Sequence, residues 1–221
     1  MKIQRILFPL LALFLASGAK AGLVNGGFED PVISPASFSI MDASLVNGWS
    51  TTASDNQIEI WSTGFLGVPS YFGNQFAELN ANMVSTLYQD VSGIAAGTIV
   101  GYQFAHRGRL GTDVMEFTLT DLGLDGVYGT SDDTTLFSRF VTDGNTAWGF
   151  YSGTGIGALG NNVRFSFISV SAAGGDTSIG NFLDVANFGP GIGTNVPEPS
   201  SLALIGLGLA GLAVARRRKS A

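Results

Sequence analysis

The sequence predicts an all-β protein, an antiparallel β-sandwich or jelly roll, flanked by a signal helix and a C-terminal hydrophobic helix. Three observations carry that expectation. Between Gly22 and Val196 apolar residues recur at period two, the alternation of a half-buried strand. Gly, Asn, Asp, Ser and Thr fill the gaps at roughly ten-residue spacing, the rhythm of short strands joined by turns. No run in that region carries helical spacing.

Met1–Ala21 has a charged start (Lys2, Arg5), an apolar run from Ile6 to Ala16 and the small-x-small triplet Ala19-Lys20-Ala21. That layout is a secretory signal peptide, cut by signal peptidase. Residues 22–190 form the sandwich. Within it Ile58-Glu59-Ile60-Trp61, Gln75–Asn82 and Leu87–Asp90 set polar residues inside apolar strands. Val100, Tyr102, Phe104 and His106 share one strand face; so do Met115, Phe117 and Leu119, and so do Val163, Phe165 and Phe167. The last candidate strand places Phe182, Asp184, Ala186 and Phe188 on one face. Residues 191–199 are irregular by composition and form a linker in which Pro197 and Pro199 favour an extended chain. Residues 200–221 hold a thin apolar helix, Leu202–Ala215, followed by Arg216, Arg217, Arg218 and Lys219. The run is shorter than the ~20 residues of a comfortable span, and its basic end belongs on the cytoplasmic side.

Charge is divided by region. Between Gly22 and Val196 there are sixteen carboxylates, four arginines and no lysine, a formal net of −12. Such a surface repels phosphate backbones, which excludes nucleic acid and directs attention to neutral glycans or to cations. Cysteine is absent, so disulfides and thiol chemistry are excluded.

Trp61, Glu78, Asn80, Gln89, His106, Arg107 and Arg109 supply what a sugar site uses: planar amides and charges for hydroxyls, with Trp61 or Tyr88 as a stacking face. The same residues make an internal network if Glu78 pairs with Arg107 or Arg109, and both readings stand at this level. The loop Asp121–Asp133 gathers Asp125, Asp132 and Asp133 among glycines; it reads as a Ca2+ site or as a solvated turn. A nucleophile elbow and a His-Glu-x-x-His motif are absent, and one histidine without cysteine builds no ordinary zinc centre. The expectation is a non-catalytic protein, with a glycan-active hydrolase as the lesser alternative.

The order Pro197-Glu198-Pro199, apolar helix, basic end resembles the PEP-CTERM protein-sorting tail of Gram-negative bacteria. The resemblance implies an exported exosortase substrate, held transiently in the inner membrane and delivered to the cell surface or extracellular matrix. Val24-Asn25-Gly26-Gly27-Phe28-Glu29 and Gly180-Asn181-Phe182-Leu183-Asp184-Val185 resemble the first and last strands of galactose-binding-like jelly rolls, a fold of many carbohydrate-binding modules. That resemblance implies that the two strands lie side by side, that Glu29 and Asp184 share a structural Ca2+, and that the partner is a polysaccharide or matrix glycan. An envelope protein with no soluble ligand is the alternative.

Overall fold

The computed structural model describes residues 22–160 and 162–193. The signal segment with Ala19 and Ala21, and the sorting segment with Pro197, Glu198, Pro199 and Arg216–Arg218, lie outside the described residues. The strands are β1 (Phe38–Asp42), β2 (Ser50–Thr51), β3 (Gln57–Ser62), β4 (Gln75–Glu78), β5 (Thr86–Ser92), β6 (Ile99–Arg107), β7 (Asp113–Asp121), β8 (Thr134–Asp143), β9 (Gly149–Gly157), β10 (Asn162–Ser171) and β11 (Phe182–Pro190). Among the described residues helix is confined to two 3-10 turns, Ala43–Leu45 and Phe65–Gly67, and none is long and apolar enough to cross a membrane.

A six-stranded sheet runs β1-β3-β4-β11-β6-β9 and a five-stranded sheet β2-β5-β10-β7-β8. Every neighbouring pair is antiparallel, so the fold is the sandwich that the alternation predicts. The two inner faces meet in one core. Ile58 and Ile60 of β3, Val100, Tyr102 and Phe104 of β6, Met115, Phe117 and Leu119 of β7, and Val163, Phe165 and Phe167 of β10 are all buried there. Each fully buried aromatic or aliphatic side chain contributes about 1.5–3 kcal/mol, which is why period two fixes which face turns inward.

β11 departs from the expected alternation. Leu183, Ala186 and Phe188 belong to the main core, whereas Phe182 packs into a separate cluster with Trp61 and Phe76. The register of β11 against β6 shifts between Asp184 and Asn187, and Val185 there has φ 48°. A β-bulge inserts one residue and flips every later side chain to the other face, so Phe182 and Asp184 do not share a face with Ala186 and Phe188.

The bulge also explains the first motif. Gly26 accepts a hydrogen bond from the Ala186 N–H at 2.8 Å. A β-carbon on Gly26 would fall 1.7 Å from the Ala186 carbonyl oxygen, so only glycine permits this approach. The two terminal motifs therefore do lie side by side, although Val24–Glu29 is a turn rather than a regular strand.

Candidate functional site

The outer face of the six-stranded sheet carries a second, aromatic layer. With Ile60, Ala77 and Leu183 turned inward, their neighbours Glu59, Trp61, Phe76, Glu78, Phe182 and Asp184 point outward. The connection between β3 and β4, residues 63–74, folds back over them and adds Phe65 and Val68; Trp148 closes the other side. Ring contacts run across the strands from Phe38 through Phe65, Trp61, Phe76 and Trp148 to Tyr71 and Phe150.

The middle of this row is sealed and its ends are open. Trp61 is only 1% exposed, enclosed by Phe65, Phe76 and Phe182 with the Arg109 guanidinium 4.8 Å above its ring. It cannot be the stacking face that its sequence context suggests. Tyr71, Phe72 and Phe150, in contrast, are 43%, 75% and 47% exposed. Tyr71 and Phe150 stack at 5.5 Å with 10° between planes, and Trp148 meets Tyr71 edge-on. At the opposite end a cleft of about 330 Å³ is lined by Phe38, Phe65, Leu66, Asn82, Arg109 and Ser178.

At that cleft sit two buried carboxyls and a half-buried arginine. Arg109 Nη1 donates to both oxygens of Glu78 at 2.9 and 2.8 Å, and the Gly180 N–H adds a third bond at 2.6 Å. Glu59, opposite Glu78 across the β3–β4 ladder, accepts from Trp61 Nε1 at 2.7 Å. Burial pushes both carboxyls far above the usual carboxylate range, and the mutual repulsion of two anions holds Glu78 higher still.

The remaining candidates are engaged inside the fold. His106 lies buried between Asp143 Oδ2 at 2.7 Å and Asn181 Oδ1 at 2.9 Å. Arg107 takes the Asn145 carbonyl rather than Glu78. Asn80 donates to the Thr177 carbonyl at 3.2 Å. Gln89 sits on β5 of the other sheet and holds Val24 through its N–H at 3.0 Å and its carbonyl at 2.7 Å. The structure thus groups Trp61, Glu78 and Arg109, and leaves Gln89 apart.

The acids named for a cation accept hydrogen bonds from backbone N–H groups. Asp184 Oδ2 accepts the Tyr71 and Phe72 N–H groups at 2.9 and 3.0 Å, and its Oδ1 accepts the Val185 N–H at 2.7 Å. Glu29 Oε1 accepts the Asn74 and Gln75 N–H groups at 2.6 and 3.0 Å. Amide donors thus hold both Asp184 oxygens and Glu29 Oε1. Burial, outweighing those three N–H bonds, raises Asp184 to about 7, with the Glu29 charge adding to the rise. In the β7–β8 loop Asp125, Asp132 and Asp133 accept from Val127, Leu124 and Gly129 respectively, as turn-forming aspartates do. Among the described residues no three acidic or histidine side chains converge as a metal group.

Tyr71, Phe72, Trp148 and Phe150 escape a strand-by-strand reading. Their signal is an aromatic pair, Tyr71-Phe72, set in the loop Val-Pro-Ser-Tyr-Phe-Gly-Asn, where no core demands it.

Fold and site together define an all-β jelly-roll sandwich with an aromatic outer face. Residues 195–219 match the PEP-CTERM protein-sorting motif, so the chain is an exported protein with a C-terminal sorting signal. No curated protein matches it. Among solved structures it is similar to the C-terminal family 22 carbohydrate-binding module of Clostridium thermocellum Xyn10B, at 13% identity over 69% of this chain and 90% of that one, TM-score 0.47. It is also similar to the tandem CBM22-1-CBM22-2 domain of Paenibacillus barcinonensis Xyn10C, at 12% identity over 74% of this chain and 51% of that one, TM-score 0.49. A third is the Stig cyclase Fisc from Fischerella sp. TAU, at 15% identity over 76% of this chain and 96% of that one, TM-score 0.46.

Proposed function

We propose that this exported chain is a non-catalytic surface or matrix protein that binds an extracellular polysaccharide through the outer face of its six-stranded sheet. Tyr71, Phe72 and Phe150 are the contact residues, and Trp148 backs them. The observation that carries this reading is the trio of exposed rings on an acidic surface. Exposed aromatics at the outer face of a sheet suit the flat faces of neutral sugar rings, and the net of −12 turns polyanions away. A hydrolase is disfavoured by the same geometry: Glu59 and Glu78 are buried and already engaged by Trp61, Arg109 and Gly180.

The route outward is part of the proposal. Signal peptidase removes residues 1–21, the apolar segment within 200–221 holds the chain in the inner membrane of a Gram-negative cell, and an exosortase cleaves near Pro197-Glu198-Pro199. Affinity gel electrophoresis against a panel of neutral polysaccharides tests the binding. Retardation that falls roughly tenfold in Tyr71→Ala and Phe150→Ala, about 1.4 kcal/mol for each ring, supports the reading. If the chain is retarded by none of the panel, or the ring variants are retarded like the parent, the envelope role without a ligand takes its place.

A further inference from the structure

The ring trio needs a fixed backbone, and the loop that carries two of its members is long. Twelve residues, 63–74, separate β3 from β4, with glycines at 64, 67 and 73 in the left-handed region. Such a loop is entropically costly to order unless something outside it holds it. The holders are two carboxylates remote in sequence. Asp184, on the last strand, grips the Tyr71 and Phe72 N–H groups. Glu29, on the first segment, grips the Asn74 and Gln75 N–H groups. Both stand next to Gly27, whose missing β-carbon would lie 3.8 Å from Glu29 Cγ and 4.0 Å from Asp184 Oδ1. The fit around Glu29 is close: a β-carbon on Gly73 would fall 2.2 Å from Glu29 Oε1. The Val185 N–H on Asp184 Oδ1 ties the grip to the bulge that begins just after Asp184.

We infer that Asp184 and Glu29 form a carboxylate latch in which the two terminal motifs of the domain position Tyr71 and Phe72 for the ligand. The inference rests on the polysaccharide reading for its functional half, while its structural half stands alone. Asp184 and Glu29 are positioning residues: they touch the loop backbone and leave the ligand to the rings. A charged acceptor serving several N–H groups is about twice as strong as neutral bonds, and it is lost when the carboxyl takes up a proton. The charged groups on elements packed against Asp184 are Glu29, Glu78 of β4 and Arg107 of β6. Glu78 is held by Arg109, and Glu29 is the one that bears on the Asp184 charge.

Hydrogen exchange on the full chain reads the latch directly. In Asp184→Asn the Tyr71 and Phe72 amides are expected to exchange at least tenfold faster, and in Glu29→Gln those of Asn74 and Gln75, with β10 amides unchanged in both. Equal exchange in variants and parent overturns the latch. If Asp184→Asn fails to fold, Glu29→Gln still decides, since Glu29 lies at the domain rim. The functional half is read by gel retardation in the polysaccharide found to bind. The parent is expected to lose retardation several-fold from pH 8 to pH 6, and Asp184→Asn to be weak and flat across that range. Faster exchange with undiminished retardation overturns the positioning role; a parent that binds no polysaccharide overturns the ligand reading while the exchange result stands.

Discussion

Raising the pH from 5.5 to 8 should destabilise this domain, the reverse of the common behaviour of paired surface carboxylates. Glu59, Glu78 and Asp184 are buried, and their folded-state values lie near 7, 8 and 7 against ordinary values of 4.5, 4.5 and 3.8. Between those limits the folded chain holds protons that the unfolded chain has released. Stability is therefore fully present at acid pH and declines as the pH rises from about 5 toward 8. Each extra proton is worth about 1.4 kcal/mol per pH unit. The Glu59–Glu78 pair shares its protons and Arg109 offsets part of the charge, so one to two net protons over about two pH units is the working figure. That amounts to roughly 3–6 kcal/mol, or a fall of order 10 °C in Tm for a domain of this size. The assay is thermal unfolding at fixed ionic strength from pH 5 to 9, for the parent and for Glu59→Gln. Gln keeps an acceptor for Trp61 Nε1 and removes one anion, so the variant should show a shallower decline and a higher Tm at pH 8. A Tm that rises from pH 5.5 to 8, or an equal slope in Glu59→Gln, would refute the reasoning.

Three further outcomes follow from the same geometry. Trp61→Ala should cost about 3–5 kcal/mol, seen as a large drop in the urea midpoint, because it empties the centre of the aromatic layer. Gly26→Ala should lower Tm, by a destabilisation of about 1–3 kcal/mol, since its methyl collides with the Ala186 carbonyl; Gly144→Ala, with open space around it and no left-handed backbone to strain, should cost less. Millimolar Ca2+ against EGTA should leave Tm unchanged, because a ligand of the folded state must stabilise it and amides already hold the Glu29 and Asp184 oxygens; a rise of several degrees would restore the cation reading.

The sandwich was legible where alternation was strict. Val100–Phe104, Met115–Leu119 and Val163–Phe167 each present one face to the core as their sequence predicts. β9 was not, since four of its nine residues are glycine and carry no hydrophobic signature. The β11 bulge was also hidden, because period two assumes a ladder without an extra residue, and Val185 is an unlikely side chain for a left-handed backbone. At the candidate site the sequence named polar residues correctly as a cluster in the case of Glu78 and Arg109. It gave Trp61 a surface role because tryptophan inside a strand carries no mark of which sheet face a loop will later cover. Glu29 and Asp184 invited a metal because both motifs bring an acid to the same place. What the acids meet there, the backbone of residues 71–75, depends on a loop whose path no local pattern encodes.

The central claim is that the exposed rings of the outer face are where this exported domain meets a polysaccharide. Chemical-shift mapping of the isotope-labelled chain during titration with an oligosaccharide of the retarding polymer tests it most directly. Shifts are expected to concentrate at Tyr71, Phe72, Phe150 and the Trp148 indole N–H, with Gln89, His106 and the Asp125–Asp133 loop silent. Shifts centred on that loop or elsewhere on the five-stranded sheet, with the ring residues unmoved, would contradict it.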